Sequence, residues 1–180
     1  MLMKCISLKI LTLAAVYSAA VGQSFAQSPS PDASQPSALA ENYGDWSVRC
    51  VTKNETRECA FSQTQLNTNS QRVLVAELRP QEDGSLRGSL VLPFGLRLAD
   101  GATFAVDDLP PGKPAPFRTC LPVGCLVSLI FTEKVATSLR TGTTLKVIAK
   151  SSDTGEDVAF SVSLKGFDTA LQRTSALARR

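Results

Sequence analysis

From Asp45 onward, apolar and polar residues alternate with a period of two in short runs. That is the pattern of half-buried β-strands. Trp46, Val48 and Cys50 share one face, and so do Cys59 and Phe61 within residues 57–63. Arg72 to Leu78 is apolar on both faces and reads as a central strand. Ser85 to Leu92 is a further strand, broken by Pro93 and Gly95. Leu96-Arg97-Leu98 then leads into Asp100-Gly101, which predicts a hairpin answered by Thr103 to Val106, with Phe104 and Val106 inward.

Residues 107–116, DDLPPGKPAP, hold four Pro and cannot sit inside a sheet. They predict the longest loop of the domain. Phe117 to Phe131 resumes the strand pattern around a turn at Cys120–Cys125, with Cys125, Val127, Leu129 and Phe131 on one face. Two clear strands, over 145–150 and 158–165, flank a turn at 153–156. A helical period shows in only two places. Glu133 to Leu139 predicts one or two helical turns stopped by Gly142, and Phe167, Ala170, Leu171 and Leu177 mark one face of a short C-terminal helix.

Eight or nine short strands with turns every 8–12 residues predict an all-β, antiparallel sandwich with a short C-terminal helix. A closed barrel is the other candidate. A membrane barrel does not fit, because its longer strands carry aromatic girdles and aromatics are only 6% here.

The start of the chain has a different character. Lys4 and Lys9 precede an apolar run of 12 residues from Ile10 to Val21, and Ser24-Phe25-Ala26 follows. Too short to span a bilayer, this reads as a secretory signal peptide over 1–26, cut after Ala26. Residues 27–42 are rich in Pro and Ser and read as a flexible linker, leaving a sandwich domain over 43–178. Cleavage removes two of the 19 bases and none of the 16 acids, so 17 bases face 16 acids. With no basic patch, nucleic acid is not an expected partner. No membrane-spanning segment remains after cleavage.

The chain has no His. That removes Ser-His-Asp and Cys-His machinery and His-bearing zinc sites. Four Cys remain beyond the signal: Cys50, Cys59, Cys120 and Cys125. An even number in an exported chain reads as two disulfides with three pairings open. The polar segment between Cys50 and Cys59 suits a hairpin, and the LPVG turn brings Cys120 near Cys125. These favour Cys50–Cys59 and Cys120–Cys125. The spacings suit neither a thioredoxin motif nor a four-thiolate zinc site.

Four segments carry a resemblance when taken in order: Gly44 to Cys50 (GDWSVRC), Leu92 to Leu98 (LPFGLRL), Cys120 to Cys125 (CLPVGC), and Ser163 to Phe167 (SLKGF) with Ala170. Over roughly residues 43–175 the chain resembles the invasion-associated locus B family of bacterial envelope proteins. The resemblance implies an exported protein of the periplasm, or of the cell surface or secreted. It implies an immunoglobulin-like β-sandwich and a link to host-cell invasion, although the family also occurs in bacteria that invade nothing. It brings a framework of Trp46, the four Cys, Gly95, Gly124, Gly166 and Phe167, and no catalytic residues.

Physics gives that framework structural roles. Trp46 packs in the core, Gly124 frees the disulfide turn, and Gly166 ends the last strand so that Phe167 pins the helix.

The leading functional reading is therefore a non-enzymatic module that binds a protein in the envelope or on a host cell. Its candidate partner-facing residues are Gln65, Asn67 and Asn69 in one loop and Asp107, Asp108 and Lys113 in the other. No cofactor or metal is expected. The alternatives are a periplasmic carrier of a small ligand, or a hydrolase using paired carboxylates. Asp107-Asp108, Glu82-Asp83 and Glu156-Asp157 are the adjacent acid pairs, all in turns. Oligomeric state is left open.

Overall fold

The computed structural model describes residues 38–54 and 56–178. The signal peptide and the first part of the linker lie outside the described residues. Ten strands and two helices run in the order β1 (Ala38–Tyr43), β2 (Trp46–Lys53), β3 (Thr56–Leu66), β4 (Arg72–Pro80), β5 (Leu86–Leu92), β6 (Ala102–Val106), β7 (Phe117–Leu121), β8 (Gly124–Phe131), α1 (Glu133–Thr141), β9 (Thr144–Lys150), β10 (Asp157–Ser163) and α2 (Phe167–Ala178). Seven strands form one antiparallel sheet in the order β1-β2-β3-β4-β5-β8-β7, and three form a second in the order β10-β9-β6.

The sheets pack as a sandwich because each strand turns its apolar face inward. Val48, Phe61, Leu78, Leu90 and Val127 of the large sheet and Val147 and Val162 of the small one are buried in one continuous core. Phe104 of β6 meets Phe131 of β8 edge to face, with ring centroids 6.0 Å apart. Helix α2 lies against β1 to β4 and covers the other half of the large sheet's inner face. As its double-sided apolar pattern indicates, β4 occupies the middle of that sheet.

Two expectations need correction. The linker read over 27–42 ends earlier, since Ala38–Tyr43 is β1, paired antiparallel with β2 through Tyr43↔Trp46 and on to Ala38↔Val51. Leu39 and Tyr43 pack against the core, and Glu41 is held by Arg173. Strand β2 follows after the two-residue Gly44-Asp45 turn, but Arg173 is distant in sequence, and the Pro and Ser content of the preceding residues concealed the start of the strand.

Asp100-Gly101 also does not close a hairpin. Leu96 bridges Ser151 and Ala102 pairs with Ala149, so the flanks of this turn lie along the same stretch of chain at β9. Leu98–Asp100 forms a single 3-10 turn between them. The turn forms at Asp100-Gly101, but the strand that answers its flanks comes from another part of the chain.

Candidate binding cleft

One end of the sandwich is closed by aromatic packing. Trp46, Phe61 and Phe167 form a triangle with ring centroids 5.1 to 5.3 Å apart. All three are essentially inaccessible. Such a cluster buries large apolar area and adds edge-to-face attraction. Its polar atoms are satisfied across the sandwich. Trp46 Nε1 donates to the Ser163 carbonyl at 2.9 Å. Gln63, also buried, donates from Nε2 to the same carbonyl at 2.8 Å and accepts at Oε1 from the Ser163 N–H at 3.2 Å. The Gln63 amide thus pairs with β10 much as a strand would, joining the two sheets.

Beneath the cluster, the Tyr43–Gly44 backbone lies directly on Lys165–Gly166. A Cβ at Gly166 would stand 2.1 Å from the Tyr43 carbonyl oxygen, and its φ of +85° is one that L side chains rarely adopt. Gly166 therefore serves a close backbone contact as well as the end of a strand.

The disulfides join Cys50 to Cys59 across the β2–β3 pair and Cys120 to Cys125 across the β7–β8 hairpin. Gly124 follows the hairpin turn, where a Cβ would meet the Leu92 carbonyl at 2.4 Å. Gly95 sits in open space at φ +85°, so only its conformation asks for glycine.

The candidate partner-facing residues divide sharply. Gln65 lies within β3, and its Nε2 donates to Gln63 Oε1 and the Ser161 carbonyl. It helps hold the sheets together and is not free for a partner. Asn67 organises its own loop: its Oδ1 accepts from the N–H groups of Asn69 and Gln71. Asn69 remains at the exposed tip.

Asp107 has the left-handed φ of 49° and caps the start of β9. Its carboxylate accepts from the Thr143 hydroxyl at 2.6 Å and from the N–H groups of Thr143 and Thr144. The Thr143 hydroxyl, aided by those N–H groups, holds it below the usual carboxylate range. Asp108 pairs with Lys146 at 3.0 Å. The adjacent acids are therefore committed to different partners and do not converge on a shared point, as a carboxylate pair for hydrolysis must. Lys113 stands exposed in the Pro-rich loop.

That loop borders a cleft of about 310 Å³. It is fixed to the edge of β6, where Ala115 pairs with Ala102 and the Gly112 N–H donates to the Phe104 carbonyl. Opposite it, β8 runs past the start of β7. Phe117 pairs with Val127, so among the described residues Ser128 to Phe131 has β5 on one side and no strand on the other. The gap between this edge and the loop is the cleft. Phe104, Phe131 and Leu145 form its apolar floor, Val135 of α1 and Leu109 its walls, and Lys113 and Ile130 its rim. Ile130 is 66% exposed and Leu109 53%, high for side chains of this size when they cluster. Among the described residues no cluster of Cys, Asp and Glu is placed to hold a metal ion.

A profile of the family described as invasion associated locus B (IalB) protein matches residues 46–175. The chain belongs to the invasion-associated locus B family. It is 42% identical over 144 residues to an invasion protein B homolog of Brucella abortus, across 79% of this chain and 83% of the relative. It is 32% identical over 165 residues to invasion protein B of Bartonella bacilliformis, across 85% and 88%. The crystal structure of invasion associated protein b from Bartonella henselae superposes with a TM-score of 0.72 at 30% identity, covering 78% of this chain and 97% of that one.

Three of the four segments that carry the family resemblance bear on the closed end or the disulfide hairpin. Trp46 and Phe167 from those segments help build the aromatic triangle, and Gly166 makes the backbone contact under it. The cleft draws its rim and walls from other stretches, Leu109 to Lys113 and Ser128 to Val135.

Proposed function

We propose that this invasion-associated family member is an exported, non-enzymatic module of the bacterial envelope that binds another protein at the cleft beside the Pro-rich loop. The observation that carries this reading is the conjunction of an apolar cleft, an uncovered strand edge, and exposed Ile130 and Leu109 on its two facing sides. Extended partners use such edges for backbone hydrogen bonds and the adjoining pockets for specificity. The separate partners of Asp107 and Asp108 count against paired-carboxylate chemistry at the Pro-rich loop that borders the cleft. The apolar run and small-residue site at the start of the chain favour export, with the mature protein in the periplasm or at the cell surface.

A second reading has an observation of its own. A cleft of about 310 Å³ with an apolar floor is within the size range of small-ligand sites, which favours a carrier. The two readings separate by experiment. The tagged full-length protein is expressed in its bacterial host, crosslinked in intact cells, fractionated and analysed by mass spectrometry. The binding module predicts a processed chain in the envelope fraction and a discrete adduct linked through Lys113 or its neighbours. A processed monomer linked only to itself, with a small apolar molecule co-purifying, would reverse the order of the readings.

A further inference from the structure

We infer that the open edge of β8, Ser128 to Phe131, takes up an extended segment of the protein partner as an added strand, with alternate apolar side chains entering the cleft and an acidic group meeting Lys113. This rests on the binding reading above and specifies its chemistry.

The β7–β8 hairpin closes through a two-residue turn, Pro122-Val123, with Leu121 opposite Gly124. The residues flanking such a turn form a hydrogen-bonded pair. The alternation of the ladder then turns the backbone of Gly124, Leu126 and Ile130 toward β7, and the irregularity between Phe117 and Thr119 lies in β7 and leaves that alternation intact. At Ile130 β7 has already ended, so its N–H and C=O face the cleft side without a strand.

Exposed edges are commonly protected by charge or proline. Two of the outer strands show this: β7 carries Arg118 and β10 carries Asp157, the latter paired with Lys150 at 2.9 Å. Ser128-Leu129-Ile130-Phe131 carries no charge and no proline. It is the kind of edge that protein surfaces usually hide, placed beside an apolar hollow.

Charge specifies the occupant further. The acids at this end are engaged, Asp107 by Thr143 and Thr144 and Asp108 by Lys146. Lys113 lines the cleft and has no ion pair among the described residues. Lys113 is the one charged side chain among the described residues lining the cleft, so an extended segment with an acidic residue at its end fits better than a basic one.

The test uses the mature protein and a synthetic peptide, Asp-Val-Thr-Val-Thr-Val-Asp, followed by amide NMR and hydrogen exchange. Strand addition predicts a shifted and exchange-protected Ile130 amide. Methylating alternate backbone nitrogens of the peptide should abolish binding, and Ile130→Lys should weaken it by about tenfold or more. The amide spectrum of Ile130→Lys reports whether that variant folds, and the methylated peptide tests the wild-type chain if it does not. Equal binding of the methylated peptide would overturn the inference. So would dodecanoate filling the cleft while the peptide leaves the Ile130 amide unmoved. If Ile130→Lys retains the adduct in cells, strand addition falls while the binding module stands. If wild type forms no adduct at all, the binding module itself falls.

Discussion

The two ends of this sandwich solve opposite problems. Around Trp46 every aromatic face is covered and every buried polar atom finds a partner, with Gln63 and Trp46 both donating to the Ser163 carbonyl. Around the Pro-rich loop, a strand edge is uncovered, Ile130 stands in solvent and a cleft remains unfilled. Interiors are packed to crystal-like density, so an apolar hollow left open has a cost in stability. The comparison teaches that the segments carrying the family resemblance and the proposed binding surface are largely different residues. The first set secures the fold, and the second draws on other stretches of the chain.

The largest expected effect lies at the closed end. Trp46→Ala or Phe167→Ala should cost about 3–5 kcal/mol, measured by denaturant unfolding, because each opens a cavity among rings that cannot collapse into it. A loss below about 1 kcal/mol would mean the triangle is not the keystone claimed. Next, removing either disulfide by paired Cys→Ala substitution should cost about 2–3 kcal/mol, through the chain entropy that loops of 10 and 6 residues release on unfolding. The same change at both sites should leave the cleft's chemistry intact.

A smaller effect concerns acid. Arg173 binds Glu41 through two contacts of 2.7 Å, and Tyr43 donates to the same carboxylate at 2.7 Å. The Arg173 hydrogen bonds first, then that of Tyr43, lower its pKa from 4.5 to about 2. A depressed carboxylate stabilises fully above its unfolded value and loses that contribution as pH falls through its folded one. The contribution of this pair is therefore complete above 4.5 and disappears toward 2. Thermal unfolding across that window should show a flatter pH dependence for Glu41→Gln than for wild type. Parallel curves would show that β1 is held to α2 by packing alone. The smallest effect on stability belongs to the open end, where Ile130→Lys should stay within about 0.5 kcal/mol of wild type because the side chain is already in solvent.

Much of the fold was legible because half-buried strands announce themselves by period two. The inward faces of β2, β3, β8 and β9 follow directly from alternation, and α2 from Phe167, Ala170 and Leu177. The disulfides were legible because each closes a short loop around a turn. What stayed hidden depended on distant partners. Ala38–Tyr43 reads as linker until Arg173 is seen beside it, although β2 follows after a two-residue turn. The Asp100-Gly101 turn reads as a hairpin because nothing local reveals β9. Gln65 and Asp107 looked available, as polar residues near turns do, yet Ser161 and Thr143 claim them. A buried Gln63 among apolar positions on the inward face of its strand was the one signal that a cross-sheet polar contact was present.

The cleft was half legible. Four Pro mark a long loop, and Lys113 is among its candidate partner-facing residues. The uncovered edge was not legible, because it arises from how far β8 outruns β7, a matter of register between strands.

The central claim is that the open end, and not the polar loop at the far side, meets the partner. Placing a photo-crosslinking amino acid at Leu109, Lys113 or Ile130, and separately at Asn69 in the polar loop or at Ser62, a half-buried position within β3, and irradiating intact cells tests it directly. The account predicts a common adduct from the first three positions and none from the other two. An adduct confined to Asn69, or shared equally by all five positions, would contradict it.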